Sequence, residues 1–513
     1  MGESNQNMKK DSIVFWAALA VLVVLCLIGI LAPAALENIT GMIQSFITDA
    51  FGWYYLIIVT FFVIVCLFLL FSPMGQIKLG KQEDKPEFSR LSWLAMLFSA
   101  GMGIGLVFYG TAEPISHYMI SSPTGEEGTN QGMKDAMRFT FFHWGIHAWA
   151  IYGIVALCLA YATFRKGEVG LISATLKPLI GKSANGAIGK VIDIIAVIAT
   201  VIGVATTLGF GAVQINGGLS YLYNVPSTII SQFVIIAIVT VLFIISALSG
   251  LGKGIKILSN TNMLLAFALF LLVFILGDTL FILNLFTDTI GLYLQNLVNM
   301  SFRIAPLNME KRTWINNWTI FYWAWWIAWS PFVGIFIARI SKGRTIREFV
   351  TYVLFVPALI GFLWFSAFGG SAMLLEHEGV VSISKYATEE TLFALLEHYP
   401  FSKLLSIVAI ILIVIFFITS ADSGTFVLGM MTTNGSPNPS NQLKVVWGVL
   451  LAAMALVLLY SGGLQALQNT MIIAALPFSI VMALMAISLI KALNKEAREI
   501  KRARIKQSKP NGN

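Results

Sequence analysis

The sequence predicts an all-α membrane protein with twelve transmembrane helices, and two observations carry that reading. Of its 513 residues, 57% are hydrophobic and only 11% are charged, against roughly 25% charged in soluble globular chains. Twelve apolar segments also reach the ~17–25 residues that a helix needs to cross a bilayer. They lie near 13–34, 52–72, 92–111, 139–163, 188–212, 227–248, 256–286, 317–340, 347–370, 402–431, 443–461 and 468–490. Backbone in hydrocarbon must satisfy its own hydrogen bonds, so only helices or closed barrels span a membrane. Segments this uniformly apolar exclude a barrel.

The first segment ends in Ala32-Pro33-Ala34, which resembles a signal-peptide cleavage site. Its apolar stretch is longer than the 7–15 residues of a signal h-region, so it reads as a retained helix. Lys and Arg bias sets the orientation. With Met1 inside, cytoplasmic segments hold 26 of the 33 basic residues and external ones hold 7. Both termini are therefore expected in the cytoplasm, and the net charge of +8 reports topology rather than nucleic-acid binding. Cys26, Cys66 and Cys158 all fall within spans and read as small buried hydrophobes, with no disulfide or metal site.

The organisation that follows is a cytoplasmic segment 1–12, two helices in 13–90, a five-helix unit 91–286, a connection 287–316, a second five-helix unit 317–490 and a basic tail 491–513. Residues 288–303 are expected to form an interfacial amphipathic helix. The longest external connections, about 112–138 and 371–401, suit short helices at the outer mouth. The tail, LNKEAREIKRARIKQSKPNGN, reads as a basic helix fading into disorder. It would be drawn to anionic lipid at about 1 kcal/mol per basic residue near the surface, or would simply anchor the cytoplasmic end.

Two spans are irregular. The third, MLFSAGMGIGLVFYG, alternates Gly101, Gly103 and Gly105. The eighth carries FYWAWWIAWSPF, with Ser330-Pro331 just after its indoles. Transporters built from inverted repeats place their sites where Gly- or Pro-interrupted helices occupy corresponding positions in two halves. Here the third and eighth helices each begin a five-helix unit, 3–7 and 8–12. Gly101 and Gly105 alone would suit close helix packing. A third glycine between them suggests unwound backbone facing a ligand.

The indoles need their own account. Trp314, Trp318 and Trp323 fit an interfacial belt. Trp325, Trp326 and Trp329 lie some 12–18 Å deeper at ~1.5 Å per residue, where belt residues do not sit. Trp325, Trp329 and Phe332 form one stripe, and Trp326 points about 100° away. The fourth span adds Trp144, Trp149 and Tyr152. Rings from two helices can enclose a cation that offers no proton, the aromatic-cage logic of quaternary ammonium recognition. Three or four rings at roughly 0.5–2 kcal/mol each fall short of the about 8 kcal/mol of micromolar affinity. The remainder would come from a substrate carboxylate on the glycine segment or from a coupled cation.

The tenth span supplies FFITSADSGTF. Thr419 and Ser420 near mid-depth offer the oxygen ligands a hard monovalent cation prefers, although hydroxyls in membrane helices ordinarily bond to their own backbone. Asp422 is an acid within a span and needs a partner; Arg339 is the expected one, as a structural or gating pair. His143 and His147 share metal spacing but lack a third ligand, and packing explains them better. No phosphate-binding loop, zinc spacing or nucleophile triad is present, so no enzymatic activity and no cofactor are expected.

GMGIGLVFYGTAEP, FHWGIHAWAIY, WTIFYWAWWIAWSPFVGIFIARISKGRTIREF and FFITSADS resemble the betaine/carnitine/choline transporter family over nearly the whole chain. The sequence looks most like the family's sodium-coupled glycine betaine carriers of bacterial plasma membranes. The resemblance implies a leucine-transporter fold with helices 3–7 and 8–12 as inverted repeats, usually in a homotrimer. It implies a trimethylammonium box at Trp144, Trp149, Tyr152 and Trp326, with Trp325 and Trp329 touching substrate or lining its exit. One sodium would be held by the carbonyls of Ser99, Met102 and Phe416 with the hydroxyls of Thr419 and Ser420. A second would use Thr200 with the ring faces of Tyr152 and Phe332. The family's pattern has another hydroxyl one turn after Thr200, where this chain has Val204, and that leaves the second sodium open.

Choline carriers of the family tend to have Asp at the position of Gly105, so glycine favours a zwitterion such as betaine. The basic tail is similar to the family's osmosensory tails. The expected function is sodium-driven import of glycine betaine for osmoprotection. Uptake of choline or carnitine, sodium-independent exchange, and a channel or osmosensor without coupled transport remain alternatives.

Overall fold

The computed structural model describes residues 12–249 and 256–508. Most of the segment 1–12, expected to be cytoplasmic, and the last five residues of the tail lie outside that range. The described residues form helices joined by short connections, with one isolated β-bridge between Lys78 and Thr345. In chain order the main helices are α1 (Ser12–Leu31), α2 (Pro33–Phe71), α3 (Arg90–Gly101), α4 (Ile104–Ile115), α5 (Asn130–Trp144), α6 (Ile146–Ala160), α7 (Ala187–Tyr223) and α8 (Ile229–Ser249). After them come α9 (Lys256–Leu276), α10 (Thr279–Ser301), α11 (Met309–Ile315), α12 (Phe321–Ile340), α13 (Ile346–His377), α14 (Ser402–Met431) and α15 (Asn441–Ser508).

Ten helical stretches among the described residues are long and apolar enough to cross a membrane. The expected third span is absent from that set because it is divided into α3 and α4 at Met102 (φ −112, ψ 126) and Gly103 (φ −144, ψ −145). The expected eleventh and twelfth spans are merged in α15. Its dihedral angles leave the helical range at Gly462 and Gly463, and the φ of +61° at Gly463 is one that glycine adopts without steric cost.

Local chemistry explains the helix starts. Side-chain oxygens of Ser89, Thr129, Asp278 and Thr345 accept from the N–H groups of Ser92, Gly132, Phe281 and Glu348, satisfying donors that a first turn leaves free. Asp278 also corrects an expected boundary. The seventh span ends at Leu276, and α10 begins at Thr279, so the helix expected over 288–303 starts nine residues earlier.

Two further expectations change. The eighth span does not break at Pro331, because α12 runs through it to Ile340. Proline has no N–H for the carbonyl four residues back, and the Ser330 hydroxyl donates to that carbonyl, Ile327 O, at 2.7 Å. The Ser-Pro pair repairs its own defect, and the irregular backbone lies upstream in a wide π-type turn at Asn316–Ile320. The fourth span, by contrast, is interrupted. Gly145 (φ −89, ψ −147) separates α5 from α6, and the Ile146 N–H thereby released donates to the Tyr293 hydroxyl at 3.2 Å.

Burial separates a centre from a periphery. The apolar stretch of Asn130–Arg165 is 100% buried and that of Met309–Ile340 is 94% buried, while those of α1, α8 and α9 are only 22% buried. The aromatic helices α5, α6 and α12 therefore form the middle of the protein. Around them run α7, α13, α14 and α15.

At one end, Glu496 of α15 accepts from the Tyr161 hydroxyl, Arg165 Nε and Lys166 Nζ at 2.7, 2.7 and 2.6 Å. This carboxylate fastens the root of the basic tail to the end of the α6 segment. Its side chain is only 6% exposed. Glu496→Ala should therefore destabilise the purified protein by about 1–3 kcal/mol, read as a lower thermal midpoint in detergent, and Glu496→Gln should cost less.

Candidate substrate and cation site

The interruption between α3 and α4 faces the aromatic centre. Gly101, Gly103, Gly105 and Leu106 from this segment enclose one cavity with Trp144, Tyr152, Thr207, Trp325, Trp326 and Trp329. The first turn of α4 begins beside it, and such a turn leaves N–H groups without intrahelical partners. The glycines set how close the rings come. A Cβ at Gly101 would lie 2.3 Å from the Trp149 ring, and one at Gly105 would lie 2.5 Å from Trp325 and 3.2 Å from Trp144. At Gly103 the nearest atoms would be Ser420 Oγ at 3.6 Å and Trp329 at 3.7 Å.

Trp326 is the hub of the rings. Its centroid lies 4.9 Å from Tyr152, 5.4 Å from Trp144 and 6.2 Å from Trp149, at steep interplanar angles throughout. Trp149 stands one layer back, edge-on to Tyr152 at 5.7 Å, and does not line the cavity itself. The free space between the rings is about 20 Å³, room for a single water.

Indole N–H groups show how the rings are held. Trp325 Nε1 donates to Thr207 Oγ1 at 3.0 Å and Trp329 Nε1 to Gly203 O at 2.9 Å, both on α7. Trp144 Nε1 donates to Glu113 Oε2 at 2.7 Å. Trp149 and Trp326, buried to 0% and 4% exposure, have no acceptor for theirs among the described residues.

The first expected sodium set spans two elements. Ser99 and Met102 supply backbone at the end of α3, while Phe416, Thr419 and Ser420 lie together on α14. Thr419 Oγ1 donates to Ile415 O at 2.9 Å, the ordinary back-bond. A hydroxyl that donates this way still presents lone pairs. Ser420 Oγ approaches Gly103 and so meets the unwound stretch. For the second set, Thr200 Oγ1 donates to Ala196 O at 2.8 Å, Phe332 packs edge-on to Trp329 at 5.6 Å, and Tyr152 packs on Trp326. The contacts that hold each of these three run outside the set. Val204 packs against Gly424 of α14.

The expected pairing of Asp422 with Arg339 does not form. Asp422 is fully buried and accepts from Ser246 Oγ on α8 at 2.6 Å and from Ser423 Oγ at 3.1 Å. Arg339 instead lies over the Phe426 ring, with Met430 Sδ at 3.7 Å. Phe426 lies one helical turn, about 6 Å, beyond Asp422 along α14, so Arg339 meets that helix past the carboxylate.

His143 and His147 diverge. His147 Nε2 meets Ser301 Oγ at 2.9 Å and its ring stacks on Trp323. His143 joins a constellation that sequence reasoning missed. Glu113 Oε1 faces His143 Nδ1 at 2.7 Å and His117 Nε2 at 3.3 Å, and Glu113 Oε2 accepts from Trp144 and from the Tyr322 hydroxyl. All three titratable groups are fully buried. The signal was an acid and a histidine four residues apart in TAEPISH. The expected third span ends at 111, whereas α4 continues to Ile115 and a π-type turn to Ile120, which carries both residues into the buried centre.

A helical membrane protein with a glycine-interrupted helix against a central aromatic cavity has the build of a membrane transporter. Residues 13–498 match the betaine/carnitine/choline family transporter profile, and the chain belongs to that family. It is 63% identical to the glycine betaine transporter OpuD of Bacillus subtilis, over 97% of each chain. A probable glycine betaine transporter of Desulfitobacterium hafniense is 44% identical, over 95% of this chain and 98% of its own. The ectoine/hydroxyectoine transporter of Virgibacillus pantothenticus is also 44% identical, over 94% and 96%.

Gly101→Ala and Gly105→Ala should each destabilise the protein by about 1–3 kcal/mol through overpacking against indoles. Gly103→Ala should cost clearly less. Thermal midpoints of the three purified variants test the order, and equal midpoints would contradict it.

Proposed function

We propose that this protein imports glycine betaine by sodium symport. One observation carries the reading: Trp144, Tyr152 and Trp326 converge on a cavity that also receives the start of α4. Ring faces would hold the trimethylammonium head, with Trp149 backing them. Trp325 and Trp329 would flank the path. The carboxylate would meet the N–H groups at Gly103 and Gly105, where a helix N-terminus favours an anion, and the unpartnered Trp326 N–H is a further donor. A trimethylammonium head is larger than the space between the rings, so seating it requires them to part. Relatives named as glycine betaine transporters support this choice of substrate. The ectoine transporter among the relatives makes ectoine, beside choline and carnitine, a competitor worth measuring.

The coupling sodium would bind the Ser99, Met102 and Phe416 carbonyls with Thr419 and Ser420. Because betaine carries no net charge, each sodium moves one charge inward. At about 2.3 kcal/mol per charge per 100 mV, one ion supplies less than two decades of accumulation from voltage alone and two supply over three. Val204, apolar and packed on α14, favours a single strong site over a second one at Thr200, Tyr152 and Phe332.

The finer architecture belongs to the same reading. Counting α3 with α4 as one span, and α15 as two on either side of Gly462-Gly463, gives twelve spans. The segments 91–286 and 317–490 would then be inverted repeats of a leucine-transporter fold, with both termini cytoplasmic. Assembly as a homotrimer in a bacterial plasma membrane, contact of the basic tail with anionic lipid and activation at high osmolality complete it.

Proteoliposome uptake of labelled betaine tests the proposal. Trp326→Ala should abolish uptake without loss of membrane insertion, and Thr419→Ala with Ser420→Ala should raise the sodium concentration for half-maximal uptake at least tenfold. Uptake indifferent to sodium would overturn the coupling, and preference for choline or ectoine would overturn the substrate.

A further inference from the structure

We infer that Glu113 is a positioning residue for substrate recognition, acting through the Trp144 indole; the inference rests on the aromatic-box reading above. An indole N–H can only donate. Trp144 Nε1 reaches Glu113 Oε2 at 2.7 Å, so this contact fixes the ring's rotation about its own helix. Trp144 is the last residue of α5, immediately before the break at Gly145. A residue at a helix end has fewer backbone constraints than one in mid-helix, and its ring is correspondingly dependent on this side-chain anchor.

The anchor is itself held from three helices. Glu113 extends from α4, His143 and Trp144 from α5, and Tyr322 from α12, while His117 follows in the turn after α4. His143 Nε2 is braced in turn by Thr319 Oγ1 at 3.0 Å, and the His143 ring stacks on Tyr322 with centroids 4.7 Å apart. Four polar groups thus converge on one buried carboxylate. Burying such a charge is costly unless hydrogen bonds satisfy it, and this one is satisfied on both oxygens. A carboxylate serves better than an amide here, because both oxygens accept and a bond to a charged acceptor is roughly twice as strong as a neutral one.

The cluster lies behind Trp144, outside the set of residues lining the cavity. Glu113 therefore does not touch the substrate directly. It sets where one wall of the box stands, and Tyr322 and the two histidines set where Glu113 stands.

A double-mutant cycle on betaine uptake in proteoliposomes tests this, with KM and maximal rate measured separately and reconstituted protein quantified. Glu113→Gln keeps the shape, removes the charge and should raise the betaine KM about tenfold with a maximal rate within about twofold. Trp144→Phe removes the indole N–H and should raise KM comparably. In the double variant KM should match Trp144→Phe alone, since the two changes break one contact. An unchanged KM in Glu113→Gln, or multiplied effects in the double variant, would overturn the inference. An unchanged KM in Trp144→Phe would instead remove the box reading and the inference with it. Should Glu113→Gln fail to insert, Glu113→Asp carries the same test: it keeps the charge, withdraws the oxygens from Trp144 and should show the same rise.

Discussion

A polar group deep in a bilayer finds no water, and one left without a partner costs several kcal/mol. The arrangement of this protein's centre depends on how that constraint is met for its indole N–H groups. Trp325 and Trp329 both reach α7, through Thr207 and Gly203, and so the aromatic helix α12 is fastened along one side. Trp144 reaches Glu113 and brings α5 against α4. Each ring is oriented by its one donor, and the cavity is what remains between rings oriented in this way. Trp149 and Trp326 are the exceptions, both beside the other rings and both without an acceptor among the described residues. Of the two, Trp326 lines the cavity and Trp149 stands behind it.

The same constraint governs the helix interruptions. At Pro331 a lost backbone donor is replaced within the helix by the Ser330 hydroxyl, and α12 stays whole. At Gly145 the freed Ile146 N–H is taken up by Tyr293 from α10. At Met102–Gly103 the break is left open toward the cavity, beside Ser420 and Trp329. Of these three positions, the last leaves its backbone facing the proposed binding space. Irregular backbone in a membrane is tolerated where it lines a cavity.

Asp422 and Glu113 illustrate two ways of housing a buried acid. Asp422 is held by hydroxyls from two helices and sits away from the rings. Glu113 gathers aromatic and imidazole donors from α5, α12 and the turn after α4, and is one residue removed from the box. A point mutation at the first would disturb helix packing near α8, whereas one at the second would move a ring.

The sequence by itself determined the helical membrane class, because apolar stretches of spanning length have no other stable form in lipid. The unwound third helix was legible from three alternate glycines, and the ring set from indoles too deep for an interfacial belt. Those features are local, and spacing along one chain records them. The tertiary structure alone decided the rest: that Asp422 turns to Ser246 rather than Arg339, that the Ser-Pro pair continues its helix, that Trp149 stands behind the cavity and that Glu113 anchors Trp144. These depend on which side chain from a distant helix arrives within about 3 Å, and the partners of Glu113 lie as far as 209 residues away in the chain. Hydrophobic periodicity reports which face of a helix is buried, but not which neighbour buries it.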